Sequence, residues 1–157
     1  PEAQLDRFAL KLHMGYPSAA EEIRIIKARR GNNPLDAVSA KLTVDQVRET
    51  RRLVSDVMID DALYKYMVDL ICATRRHGAL ALGASPRATV ALMHLSQAFA
   101  FIRGRDYVLP DDIAAVFRGA IGHRLLLKQE AKLARNTPDE ILGEILRATE
   151  VPYQGKR

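Results

Sequence analysis

Apolar residues recur at helical spacing along most of the chain. In residues 60–76 they fall on one face of a helix, at Leu63, Tyr66, Met67, Leu70 and Ile71. Similar patterns predict helices over about residues 18–30, 43–55, 85–102, 109–117 and 137–146. The stretch 88–102 is apolar on nearly every side, so we expect that helix to be the buried centre. The pattern predicts a mainly helical protein.

Capping signals mark several of these helix starts. Three pairs have the spacing of a capping box, namely Ser18 with Glu21, Thr43 with Gln46, and Thr137 with Glu140. Ser85 is predicted to be the N-cap of the helix over 85–102, and Pro86 suits its first position.

Residues 8–14 carry a different pattern, in which apolar and polar residues alternate. Phe8, Leu10, Leu12 and Met14 are apolar, and a period of two predicts a half-buried strand. No second strand pattern follows, and a lone strand leaves its backbone donors and acceptors unpaired. We therefore expect its sheet to lie upstream of Pro1, in a longer protein to which this chain belongs.

The composition is that of a globular protein. Hydrophobic residues make up 48% and charged residues 27% of the 157 residues, and a chain of this length can bury a sizeable core. The net charge of +5 comes from basic residues interleaved with acids, so charge alone identifies no partner. The single cysteine, Cys72, and the lack of a membrane span or a signal-type segment predict a cytoplasmic protein without membrane contact.

Arg87 is the most informative charged residue, because it falls in the first turn of a predicted helix. The helix dipole is positive there and disfavours a cation, so an arginine at this place calls for an anion. Backbone N–H groups of the same turn could hold a phosphate together with the guanidinium. A solvated arginine, or one paired with a nearby acid, explains the position equally well.

Several segments, taken together, resemble one protein family. They are HGALALGASPRA at residues 77–88, RGRDYVLPDDI at 103–113, GHRL at 122–125 and TPDEI at 137–141. In this order they are similar to the lid of AAA+ ATPases of the MoxR family, and they span most of the chain. Residues 2–8, EAQLDRF, resemble the family's segment before the last strand of the ATPase core. The resemblance implies an all-α fold, with a helical lid domain over residues 18–157 and a one-strand stub of the core over residues 1–17.

The same resemblance implies roles for two arginines. Arg87 corresponds to the sensor 2 arginine, which contacts the γ-phosphate of ATP held by the same subunit, with Ser85 and Pro86 beside it in the nucleotide-binding turn. Arg7 corresponds to the arginine finger, which reaches the ATP of a neighbouring subunit and neutralises charge on the transferring phosphoryl group. From the residues alone, Arg7 is more simply an exposed partner of Asp6. The resemblance instead favours the finger role for Arg7 over pairing with Asp6.

The sequence contains no parts that would bind and split ATP. It has no glycine-rich loop ending in Gly-Lys-Ser or Gly-Lys-Thr, and no apolar strand that ends in an acidic pair for Mg²⁺. We expect the Mg²⁺ of ATP to be held by the missing core. The parent protein is then an ATPase, and this chain alone is inactive.

The resemblance also implies partners. These are the chain's own AAA+ core, neighbouring subunits in a homo-oligomeric ring, expected to be a hexamer, and a protein with a von Willebrand factor A domain. The implied task is chaperone-like assembly or maturation of other complexes. An alternative is the lid of a related ring ATPase, such as a magnesium chelatase motor subunit.

A second alternative is a basic helical module that binds nucleic acid, through arginines such as Arg48, Arg51 and Arg75. Acids lie close to these arginines in the sequence and aromatic residues are few, so a solvated helix face is the better interpretation. The four histidines lie far apart and match no ligand spacing with Cys72, so no metal site is expected.

Overall fold

The computed structural model describes residues 2–30 and 33–153, and most of these lie in helices. In chain order the helices are α1 (Glu2–Leu5), α2 (Ala19–Ala28), α3 (Val44–Ser55), α4 (Asp61–Arg76), α5 (Pro86–Ile102), α6 (Pro110–Ile121), α7 (Gln129–Leu133) and α8 (Pro138–Ala148). The short strands β1 (Leu80–Leu82) and β2 (Leu126–Leu127) and 3-10 turns at Pro34–Ala37 and Gly122–Arg124 complete the described elements. The all-helical fold class predicted from the sequence is confirmed.

The described residues form two units. The larger unit contains residues 2–11 and 52–153, and the smaller one contains residues 12–30 and 33–51. The predicted domain boundary after residue 17 rests on the resemblance alone and stays a prediction.

The core of the larger unit lies among α4, α5, α6 and α8. Helix α5 packs on α6 and α4, and α8 packs on α4 and α6. The largest fully buried side chains include Leu70, Leu92, Ile113, Phe117 and Leu142. Burying side chains of this size supplies about 1.5–3 kcal/mol each, which makes the bundle the main source of stability.

Helix α5 is less buried than its sequence suggests. One face is buried, at Ala88, Leu92, Ser96, Gln97 and Ala100. Val90 and Ile102 on the same helix remain 53% and 80% exposed. An apolar composition on all sides therefore marks this helix as central, but it does not show how much of it neighbours cover.

The helix starts follow the capping signals of the sequence. Thr137 accepts a hydrogen bond from the N–H of Glu140, and the Glu140 carboxylate accepts one from the N–H of Thr137, at 3.2 and 2.8 Å. Asp60 caps α4 by accepting from the N–H of Ala62 at 2.9 Å. At α6, Asp112 accepts from the N–H of Leu109 at 2.8 Å.

The smaller unit contains α2, the 3-10 turn that begins at Pro34 and most of α3. The predicted capping boxes Ser18 with Glu21 and Thr43 with Gln46 are both formed. No residue of α2 or α3 is buried, and Ile26 and Val44 are 71% and 67% exposed. The local signals of this unit therefore define helices without defining a core.

Residues 8–14 form no strand in this chain, and the predicted strand, whose sheet was expected upstream of Pro1, stays a prediction. These residues are irregular, with Phe8, Leu12 and Met14 exposed. A strand needs a neighbour that pairs with its backbone. Among the described residues, the strands β1 and β2 pair with each other and leave none for this segment. The N–H of Lys11 instead donates to the carbonyl of Gly119 at 3.0 Å.

The antiparallel pair of β1 and β2 was not predicted from the sequence. Leu80 pairs with Leu127, and Leu82 pairs with Leu126. Strands of two or three residues are too short to show a period of two. The pair matters for function, because β1 leads directly into the start of α5.

Candidate functional site

The start of α5 is fixed by a close approach of the chain to α4 at Gly83. A Cβ atom on Gly83 would lie 2.6 Å from the Cα of Arg75 and 2.8 Å from the carbonyl carbon of Thr74, so only glycine fits. Both the backbone N–H and the backbone carbonyl of the next residue, Ala84, form hydrogen bonds with side chains of α4. The N–H of Ala84 donates to the Thr74 hydroxyl at 3.0 Å, and Nε of Arg75 donates to the Ala84 carbonyl at 2.8 Å.

Ser85 occupies the N-cap position of α5, as predicted, but its side chain makes no capping hydrogen bond. Its hydroxyl donates instead to both carboxylate oxygens of Asp6, at 2.9 and 3.0 Å. Pro86 is the first residue of the helix, as the sequence predicts. The negative charge of Asp6 therefore lies at the helix end where the dipole favours an anion.

Arg124, in the 3-10 turn after α6, is the buried charge of this region. Its side chain is 2% exposed and lies with Nη1 3.7 Å from Oδ1 of Asp6. Its Nη2 donates to the carbonyl of Phe8 at 2.6 Å. Nη1 itself has no hydrogen-bond partner among the described residues. Burial lowers the pKa of Arg124, the charge of Asp6 opposes that shift, and the nearby charge of Arg87 adds to it.

His123 lies beside Arg124 and contacts the same carbonyl. Its Nε2 is 3.0 Å from the oxygen of Phe8, while its buried Nδ1 has no partner in the part of the chain that the structure describes. The same Nε2 lies 3.4 Å from Nε of Arg124, which donates toward it. The ring therefore contacts both the Phe8 carbonyl and the Arg124 guanidinium.

The two arginines predicted from the resemblance are both exposed. Arg7 follows α1, and Arg87 is the second residue of α5. Neither forms an ion pair with any residue in the described ranges. The simpler interpretation of Arg7 as the partner of Asp6 is thus not what the structure shows, because Asp6 faces Ser85 and Arg124.

An open cleft of about 820 Å³ lies at this place. Its walls combine apolar side chains such as Leu5, Leu82 and Leu126 with the polar groups of Ser85 and Arg124. The residues at the start of α5 were predicted from the sequence, whereas the contacts of Asp6 with Ser85 and Arg124 were not. The residues around Arg124 do not predict that it is buried. Its place in the GHRL segment, which resembles the family's lid, was the one sequence feature that drew attention to it.

Other candidate sites gain no support. In residues 2–30 and 33–153, no cluster of three or more His, Cys, Asp and Glu side chains could hold a metal ion. Arg48 pairs with Asp45 at 3.3 Å, and Arg75 is engaged by Ala84, so the suggested basic patch has local partners. Within the described ranges, no helix combines the length and the apolar character needed to cross a bilayer.

Comparison with known proteins gives a consistent result. Residues 72–145 match the AAA lid domain. The chain is 39% identical over 154 residues to the uncharacterized protein YeaC of Bacillus subtilis, which covers 98% of this chain and 48% of YeaC. It is 35% identical to the chaperone MoxR1 of Mycobacterium tuberculosis, over 97% of this chain and 42% of that protein.

A solved structure agrees with these relatives. The crystal structure of a protein assigned as an ATPase, from Cytophaga hutchinsonii, superposes with a TM-score of 0.87 at 32% identity, over 96% of this chain and 48% of that one. The chain therefore spans about half the length, or less, of each of these proteins.

Proposed function

We propose that this chain, the lid portion of a MoxR-family AAA+ ATPase, senses the nucleotide of its own subunit through Arg87 and reaches the ATP of a neighbouring subunit through Arg7. The observation that carries the proposal is that Arg87 is exposed and unpaired in the described structure. This arginine lies at a helix start that is held against α4 by Gly83 and Ala84.

The residues at this helix start fit the phosphates of ATP. The dipole of the 17-residue helix α5 is positive at Arg87, so an anion lowers the free energy of this arrangement. A guanidinium offers a planar fork of donors that matches phosphate oxygens. In this proposal Arg87 acts as the sensor 2 arginine, and Ser85 and Pro86 shape the turn beside it. ATP and its Mg²⁺ are held by an AAA+ core, because the chain has no phosphate-binding loop.

Arg7 is proposed to be the arginine finger. Its exposed guanidinium is available to a neighbouring molecule, and a finger supplied in trans makes hydrolysis depend on assembly. The proposed assembly is a homo-oligomeric ring of the hexameric kind, in the cytoplasm. Its task is chaperone-like maturation of other complexes, beside a partner with a von Willebrand factor A domain. The name of the relative MoxR1, a chaperone, supports that task. A magnesium chelatase motor is the alternative, with the same use of both arginines and another client.

The proposal is tested in a protein that joins this chain to its AAA+ core. We expect Arg87→Ala to lower kcat for ATP hydrolysis by at least about tenfold, since the loss of one charge-stabilising donor has effects of that order or larger. Arg103→Ala is the matched control, because Arg103 lies at the other end of α5, stacked 4.9 Å over the ring of Phe99. Equal turnover in the two variants would remove Arg87 from the proposed role.

Action in trans is tested by mixing subunits. Arg7→Ala subunits are combined with subunits that cannot bind ATP, so that each kind can supply what the other lacks. Hydrolysis should reappear in mixed rings, because an intact Arg7 then faces an intact ATP site. If mixing restores nothing while each pure ring still assembles, Arg7 is not a finger.

A further inference from the structure

Asp6 lies where the segment of Arg7 meets the helix of Arg87. It precedes Arg7 in the chain, and its carboxylate accepts from the hydroxyl of Ser85, two residues before Arg87. We propose that Asp6 is a positioning residue, which ties the segment that carries Arg7 to the first turn of α5. The consequence for hydrolysis rests on the proposed function above, whereas the anchoring itself does not.

Arg124 holds the same segment through two further contacts. Its guanidinium donates to the carbonyl of Phe8 at 2.6 Å and lies 3.7 Å from the carboxylate of Asp6. Both residues that flank Arg7 are therefore held by the same buried group, while Arg7 itself stays exposed. Such an arrangement fixes the backbone of Arg7 and leaves its side chain free to reach outward.

Charge balance explains why an acid is needed at position 6. A guanidinium with a 2% exposed side chain has lost most of its hydration, so it requires a nearby anion. Asp6 is the acid paired with Arg124 in the described residues, and the positive charge of Arg87 is also close enough to act on Arg124. Replacing Asp6 by a neutral residue would leave the buried Arg124 without the carboxylate that it pairs with, while the positive charge of Arg87 still acts on it.

The anchoring is tested on the 157-residue chain by amide hydrogen exchange. Three amides report on the segment, since the N–H groups of Arg7, Phe8 and Lys11 donate to the carbonyls of Gln4, Leu5 and Gly119. Asp6→Asn should speed their exchange on the order of tenfold, because the loss of the anchor opens this segment without unfolding the bundle. Asp45→Asn is the control, as it removes the same charge from an exposed residue of α3.

A second variant covers the case in which Asp6→Asn does not fold. Ser85→Ala removes the hydroxyl donor but leaves every charge in place, and it should speed exchange of the same amides by a smaller factor. Ser85→Thr keeps the hydroxyl and should leave their exchange as in the original chain. Unchanged exchange in Ser85→Ala, and in Asp6→Asn if that variant folds, would overturn the anchoring.

The functional consequence is tested in the ATPase that contains this chain. Asp6→Asn should lower kcat while the KM for ATP changes little, and it should cause no further loss when Arg7 is already alanine. A residue that only stabilises the fold would lower activity equally in both backgrounds, and that result would refute the positioning role. If Arg7→Ala has no effect by itself, the finger proposal fails, and the exchange experiment still decides whether Asp6 is an anchor.

Discussion

The close approach at Gly83 allows a quantitative test of how the site is built. In Gly83→Ala the new methyl group would lie 2.6–2.8 Å from backbone atoms of Thr74 and Arg75. These atoms belong to α4 and cannot rotate away as a side chain could. The chain around residue 83 must therefore move away from the helix.

The expected loss of stability follows from the contacts that this movement breaks. Inserting a methylene-sized group into a packed region costs about 1–3 kcal/mol. Weakening the two hydrogen bonds of Ala84, to Thr74 and Arg75, adds about 1 kcal/mol. We expect the free energy of unfolding to fall by about 2–4 kcal/mol in total.

Urea denaturation followed by circular dichroism measures the change. With a slope of about 2 kcal/mol per M, the unfolding midpoint should fall by about 1–2 M. Gly78→Ala is the matched control, because nothing lies within 4 Å of a Cβ at Gly78. That variant should be neutral or gain up to about 1 kcal/mol, since alanine restricts the unfolded chain. If both variants have the same midpoint, the geometry argued for Gly83 is wrong.

Two further predictions concern the bundle itself. Phe117→Ala should lower the free energy of unfolding by about 3–5 kcal/mol, because Phe117 is fully buried, whereas Ile102→Ala, at an 80% exposed site, should change it by less than about 0.5 kcal/mol in the same urea experiment. Burial raises the pKa of Asp112, but hydrogen bonds from Arg105 and from the N–H of Leu109 outweigh burial and hold that pKa below its ordinary value of 3.8. The ionised Asp112 therefore stabilises the fold above about pH 4, and this stabilisation is lost as the pH falls further. Asp112→Asn should flatten the acid side of a profile of unfolding free energy against pH, measured between about pH 6 and pH 2. An unchanged slope of that profile would contradict the pairing of Asp112 with Arg105.

The parts of the fold that the sequence predicted depend on local signals. The N-caps Ser18 and Thr137 bind backbone N–H groups three residues further along the chain, so spacing alone locates them. The pairing of β1 with β2 joins residues more than forty positions apart, and the absence of a strand at Phe8 depends on a missing partner. Both depend on distant neighbours, which a local period cannot reveal.

In the candidate site, too, local features were predicted from the sequence and contacts between distant residues were not. Arg87 was located by the helix start that precedes it, and its exposure agrees with a role toward a phosphate. The bond from Ser85 to Asp6 spans 79 positions, and the bond from the buried Arg124 to the carbonyl of Phe8 spans 116. The sensor 2 and finger roles rest on the resemblance and on this geometry, and they stay predictions until the variants are measured.

Ser85 has a single proton to give. It is shared between the two oxygens of the Asp6 carboxylate, so the hydroxyl can offer only lone pairs to any other group. Lone pairs repel an anion, and Ser85 could donate to a phosphate oxygen only after its hydroxyl had turned away from Asp6. For this side chain, contact with the acid and contact with a nucleotide exclude each other.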